Sequence, residues 1–134
     1  YEAFVETAKK RNVEYITVQT DINVFDISQY ERMIFQLLND HPNIDGVFAS
    51  SDIQAAYVLK CCQYLNKRVP EDIKVVGYDD IKILSMISHQ ITTIRQPIED
   101  IGKMAVELLI KQINGEEITY KNVLPVSLIE RSTT

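Results

Sequence analysis

The sequence predicts an α/β protein built on a doubly wound parallel sheet, and three observations predict it. Strand-length apolar runs alternate with longer helical patterns along the 134 residues. Several of the runs, "GVFA" among them, are continuously apolar, as strands covered by helices on both faces must be. Each run exits into polar side chains, and open sheets of this kind bind ligands beyond the carboxyl ends of their strands.

The elements follow in order. Tyr1, Phe4, Val5 and Ala8 keep helical spacing, closed by Asn12. "EYITVQT" (14–20) reads as a first strand. Ser28 opens a helix with Glu31 three residues on, a capping box, followed by the stripe Met33, Ile34, Leu37 and Leu38. "GVFAS" (46–50) is a buried strand, and a helix runs from Asp52 to about Leu65. After "NKRVPED" come a strand over 74–78, a short helix over 81–87 and a strand over 91–95. Pro97 starts a helix that Asn114 and Gly115 end, and 122–130 is a last extended segment.

Composition narrows the function. A net charge of −5 argues against this stretch gripping a phosphate backbone. The one dense basic run, Lys9-Lys10-Arg11, falls at a helix end, where cations favour the negative pole of the helix dipole. No apolar run approaches the about 20 residues needed to span a bilayer, and no stretch reads as a signal peptide. The chain opens within a helix, which predicts that it begins inside a larger protein. Cys61 and Cys62 are adjacent, point apart on a helix, and have no second pair with which to form a zinc site. Free thiols, together with the absence of any Asn-x-Ser/Thr site, predict a reducing, cytoplasmic location. No cofactor and no metal are expected.

The polar residues at the strand ends are Thr20-Asp21, Ser50-Ser51-Asp52, Asp79-Asp80 and Arg95-Gln96. Asp80 stands just before a helical pattern and is expected to cap it, a role worth ~1 kcal/mol. Asp79, at the strand tip, suits a ligand's hydroxyls or amines, because charge-assisted hydrogen bonds are strong ones. Gln96 can donate and accept at once, which suits a polyol. Phe25, in the loop "DINVFD", either staples the Ser28 helix or presents an aromatic face to the apolar side of a sugar ring. His41 and His89 read as solvated turn residues. No G-x-S-x-G elbow, P-loop, G-x-G-x-x-G or H-E-x-x-H occurs, so a binding module is favoured over an enzyme.

The helix over 52–65 carries two apolar stripes where a surface helix needs one. Ala55, Val58, Leu59, Cys62 and Leu65 form the first; Ile53, Tyr57, Cys61 and Tyr64 form the second. The surplus, with that of "IKILSMI" (81–87), fits either a core beneath a loop or a subunit interface.

The linked phrases "RVPEDIKVVGYDDI", "ITTIRQPIEDIG" and "VLPVSLIERST" resemble the effector-binding core of the LacI/GalR family of transcriptional repressors. The resemblance covers essentially the whole chain and is densest from Asp45 onward. It implies a periplasmic-binding-protein-like lobe that closes with a second lobe on a small sugar, such as ribose or another mono- or disaccharide. Residues 1–96 and about 125–134 would belong to the C-terminal lobe, and 97–124 would cross to pack on an N-terminal lobe absent from this chain. The helix-turn-helix that reads operator DNA is likewise absent, and the ligand-gripping Arg of the family would precede Tyr1. The resemblance places ligand contacts at Asp79, Gln96, Phe25 and Ser51, although many relatives carry Asn where Ser51 stands. It places a homodimer interface at Ile53, Ala56, Tyr57, Met86 and Ile87. The helix beginning at Pro97 is apolar around much of its circumference. It is expected to dock on its own sheet or on another chain. A periplasmic-type sugar receptor shares this fold, and an α/β enzyme acting on sugars is the remaining alternative.

Overall fold

The structure is a computed structural model and describes residues 1–19, 27–82 and 90–134. Helix α1 (Glu2–Lys10) is followed by α2 (Ile27–Asp40), β1 (Gly46–Phe48), α3 (Asp52–Tyr64), β2 (Lys74–Tyr78), β3 (Thr92–Arg95), α4 (Ile98–Ile113) and β4 (Ser127–Ile129). The strands form one sheet in the order β1-β2-β3-β4. β1, β2 and β3 are parallel, with Val47 opposite Val75 and Gly77 opposite Thr93. β4 joins antiparallel, pairing Thr93 with Ile129, so the expected parallel sheet gains an antiparallel edge strand.

Side chains alternate across a strand, and the alternation decides which face each helix covers. Val75 and Gly77 are buried while Val76 and Tyr78 are only half-buried. The buried side meets α3, whose Ala55, Val58, Leu59 and Cys62 pack in one core cluster with Val75, Ile73 and Ile91. α2 closes that layer with Ile34 and Leu38, the latter 1% exposed. On the other face Phe4 of α1 stacks on Phe48 of β1, ring centroids 6.0 Å apart, and meets Tyr15 edge-on at 6.1 Å. Helices therefore lie on both faces, as doubly wound sheets require.

Local chemistry sets most boundaries. α1 ends at Asn12, whose φ of 52° is the left-handed conformation that asparagine tolerates. Asn66 (φ 54°) and Gly115 (φ 74°) follow α3 and α4 in the same way. Pro97 is the N-cap of α4 instead of its first helical residue. α2 begins at Ile27, one residue before Ser28; the Ser28 side chain lies outside the described residues, and so does the expected capping bond. At the end of the chain Thr133 is fully buried between β2 and β3. Its hydroxyl donates to the Val75 carbonyl at 2.6 Å and accepts from the Thr92 N–H at 2.9 Å. Its carbonyl accepts from the Val75 N–H at 2.8 Å.

Two expectations are corrected, and a third lies mostly outside the described residues. Residues 14–19 form no strand, and Tyr15, Ile16 and Val18 stay exposed. Strand propensity measures fit to a pleated, half-buried surface, and without a ladder partner these side chains have none. Of the helix expected over 81–87, Ile81 is not helical and Lys82 is in a 3-10 conformation; 83–89 lie outside the described residues. Finally, α4 does not dock on its own sheet: none of its 16 residues is buried. The layer beside β2 is already filled by α3 and α2, which leaves Ile98, Val106, Leu109, Ile110 and Ile113 in contact with solvent.

Candidate ligand site

The rim at the carboxyl ends of β2 and β3 is built by an unusual turn. Asp79 (φ 107°) and Asp80 (φ 56°) both adopt positive φ, a cost of ~1–3 kcal/mol per residue that surrounding contacts must offset. The three N–H groups of the turn are all satisfied. Asp79 donates to the Ile94 carbonyl at 2.9 Å, Asp80 to the Thr93 hydroxyl at 3.4 Å, and Ile81 to Asp52 Oδ2 at 2.8 Å. Such an arrangement fixes where the two carboxylates go, and they go to different places.

Asp79 meets Gln96: the amide Nε2 donates to Asp79 Oδ1 at 2.7 Å, and both residues are half-buried. A carboxylate can accept about four hydrogen bonds, so the one side-chain contact made to it among the described residues leaves capacity for a ligand's hydroxyl groups. The two residues read from sequence as polyol-binding, 17 positions apart, are thus brought together at adjacent strand tips.

Asp80 serves two arginines, and the helix it was expected to cap lies largely in 83–89, outside the described residues. Its Oδ2 accepts from Arg95 Nε at 2.6 Å and its Oδ1 from Arg131 at 2.5 Å. Burial pushes the Asp80 carboxyl up, but the hydrogen bonds from Arg131 and Arg95 outweigh it and hold the group below its ordinary value. Arg131 also donates to the Ile91 carbonyl at 2.8 Å, so Asp80 ties the returning C-terminal segment to the strand β3.

Ser51 is the N-cap of α3, accepting from the Gln54 N–H at 3.3 Å, while Ser50 donates to the Gln54 side chain at 2.6 Å. Phe25 lies outside the described residues, as do Met86 and Ile87. Of the residues expected at a dimer interface, Ile53 is exposed, whereas Ala56 and Tyr57 are partly buried against the core. Cys61, placed by spacing on the same stripe, is fully buried beneath α2 and donates to the Glu31 carbonyl at 3.5 Å. Burial pushes its thiol up to about 11.

Sequence reasoning gave no role to Asp52, which it placed only among the rim's polar residues, and missed Arg131. An acidic residue in the first turn of a helix ordinarily faces solvent, and only the folded sheet turns this one inward. The available signal was Gly77. A Cβ there would stand 2.2 Å from Asp52 Oδ1, so the glycine of "GYDD" is required by the carboxylate lying against it. A cavity of about 430 Å3 lined by Leu59, Cys62 and Arg68 lies at the opposite, amino end of the sheet and has no part in this rim. Among the described residues no cluster of three or more His, Cys, Asp or Glu could hold a metal, and no helix is long and apolar enough to cross a membrane.

The strand tips of this α/β lobe therefore present a carboxylate and an amide side by side. The chain belongs to the periplasmic binding protein-like domain family, which it matches over residues 1–134. It is 40% identical over its whole length to the ribose operon repressor of Halalkalibacterium halodurans, of which it spans 40%. A periplasmic binding ribose operon repressor protein from Lactobacillus acidophilus superimposes with a TM-score of 0.83 at 27% identity, over 99% of this chain and 48% of that one. A periplasmic binding protein/LacI transcriptional regulator from Alkaliphilus metalliredigens, solved with D-xylulofuranose, gives 0.76 at 33% identity, over 100% and 50%. These relatives bear out the LacI/GalR resemblance. They are transcriptional regulators, and the chain spans about half their length or less.

Proposed function

We propose that this chain is the larger part of the C-terminal lobe of a sugar-sensing transcriptional repressor, a binding module and not an enzyme. The observation that carries the reading is the Asp79–Gln96 pair at the carboxyl ends of two adjacent parallel strands. Paired carboxylate and amide groups, with acceptor capacity to spare, match the vicinal hydroxyls of a sugar. The regulators to which the chain is similar include ribose repressors and one solved with a pentulose, which supports a pentose as effector. Phe25 and Ser51 would complete the contacts on this lobe. Residues 1–96 and about 125–134 form the lobe, and the exposed apolar α4 crosses to a second lobe. The exposed Ile53 supports a dimer contact that also takes in Ala56, Tyr57, Met86 and Ile87.

In a cytoplasmic dimer, sugar binding would favour one closure angle between lobes, and that angle would set the spacing of helix-turn-helix heads on operator DNA. Sugar and DNA then influence each other reciprocally, typically by ~1–3 kcal/mol. A thermal-shift screen of the full-length protein against pentoses, hexoses and disaccharides tests the reading. A sugar at 100 times its Kd adds ~2.7 kcal/mol of stability. The expected result is a rise with a pentose that Asp79→Ala sharply reduces. No shift with any sugar would overturn it.

A further inference from the structure

Asp52 takes no part in the contacts assigned above, yet its carboxylate is among the most completely enclosed polar groups of the described residues, with the residue 2% exposed. Both oxygens are committed. Oδ1 accepts from the Thr93 hydroxyl at 2.5 Å and Oδ2 from the Ile81 N–H at 2.8 Å. The same Thr93 hydroxyl lies 3.4 Å from the Asp80 N–H. Asp52 and Thr93 together therefore satisfy both N–H groups that follow Asp79, in a turn whose two aspartates sit at positive φ. An unsatisfied buried N–H costs ~1–3 kcal/mol, enough to release a turn held at positive φ. Asp52 is also the first residue of α3, so it joins the turn that carries Asp79 to the helix that carries Ile53 and Tyr57.

We infer that Asp52 is a positioning residue: through Thr93 and the Ile81 N–H it holds the Asp79–Asp80 turn so that Asp79 meets Gln96 and the sugar. It thereby links the ligand rim to the amino end of α3. This deepens the proposed sugar-sensing function and rests on it.

The test uses the full-length protein, D-ribose titrations and the Gln96 side-chain amide resonances, assigned with Gln96→Glu. Asp52→Ala and Thr93→Val each remove one half of the brace. Both are expected to move the Gln96 amide resonances and to weaken ribose binding on the order of tenfold. Asp52→Asn is expected to retain both properties, because its amide oxygen still accepts from Ile81 and its NH2 meets a rotated Thr93 hydroxyl. In an Asp79→Ala background, Thr93→Val should cost no further affinity, since residues acting through one contact are not additive. Unmoved Gln96 resonances in the folded Thr93→Val protein, or full additivity with Asp79→Ala, would overturn the inference. If the wild-type protein binds no sugar, the functional reading fails by itself, and the Gln96 resonances still decide whether Asp52 positions the turn.

Discussion

Helices α3 and α4 each start just beyond the carboxyl end of a sheet strand, and each carries more apolar surface than one face requires. They end in opposite situations. α3 sinks Ala55, Val58, Leu59, Cys61 and Cys62 into the core between the sheet and α2. α4, with Ile98, Ile101, Val106, Leu109, Ile110 and Ile113, buries none of them. Hydrophobicity alone therefore does not place a helix; a facing surface does. α3 has two, the buried side of β2 and the Ile34–Leu38 stripe of α2, and its surplus stripe was partly a second core contact. α4 has none within the described residues, which fits a helix whose partner lies on the other lobe.

The largest effect expected from this contrast is at the α2–α3 layer. Leu38→Ala should lower unfolding stability by ~2–5 kcal/mol in urea titrations, because the fully enclosed side chain leaves a cavity. Gly77→Ala comes next. Its Cβ would press on Asp52 Oδ1 at 2.2 Å, and overpacking of this kind costs ~1–3 kcal/mol. A smaller effect concerns acid. Asp80 is held below its ordinary value, so its ion pairs contribute stability above about pH 4, the unfolded carboxylate range, and lose it as pH falls through the lower native value. Asp80→Asn should therefore flatten the loss of urea midpoint between pH 5 and pH 3. The smallest effect is on α4. Ile110→Ser should change the stability of this chain by itself by no more than ~0.5 kcal/mol. In the full-length protein the same substitution should cost several times more, and equal costs in both would break the comparison.

Much of the α3 half was legible from sequence, because local pattern and tertiary context agree there. The strand "KVVGY", the helix from Asp52 and the Asn12 and Gly115 stops each follow from residues close in the chain. That Asp79 and Gln96 stand at one edge was legible because a single topological rule sends parallel strand tips there. Asp80, Asp52 and Thr133 were not. Their partners lie 15, 29, 41, 51 and 58 positions away, and no local spacing reports such pairs. The 14–19 segment misled for the same reason in reverse, since its strand-forming residues lack a ladder to join.

The central claim is that Asp79, braced beside Gln96, grips a sugar. Calorimetric titration of the full-length protein with D-ribose, alongside Asp79→Ala and Gln96→Ala, tests it most directly. The account predicts saturable binding by the wild type and a loss of at least about tenfold in each variant, 1.4 kcal/mol or more. Ribose binding of unchanged affinity in Asp79→Ala would contradict it.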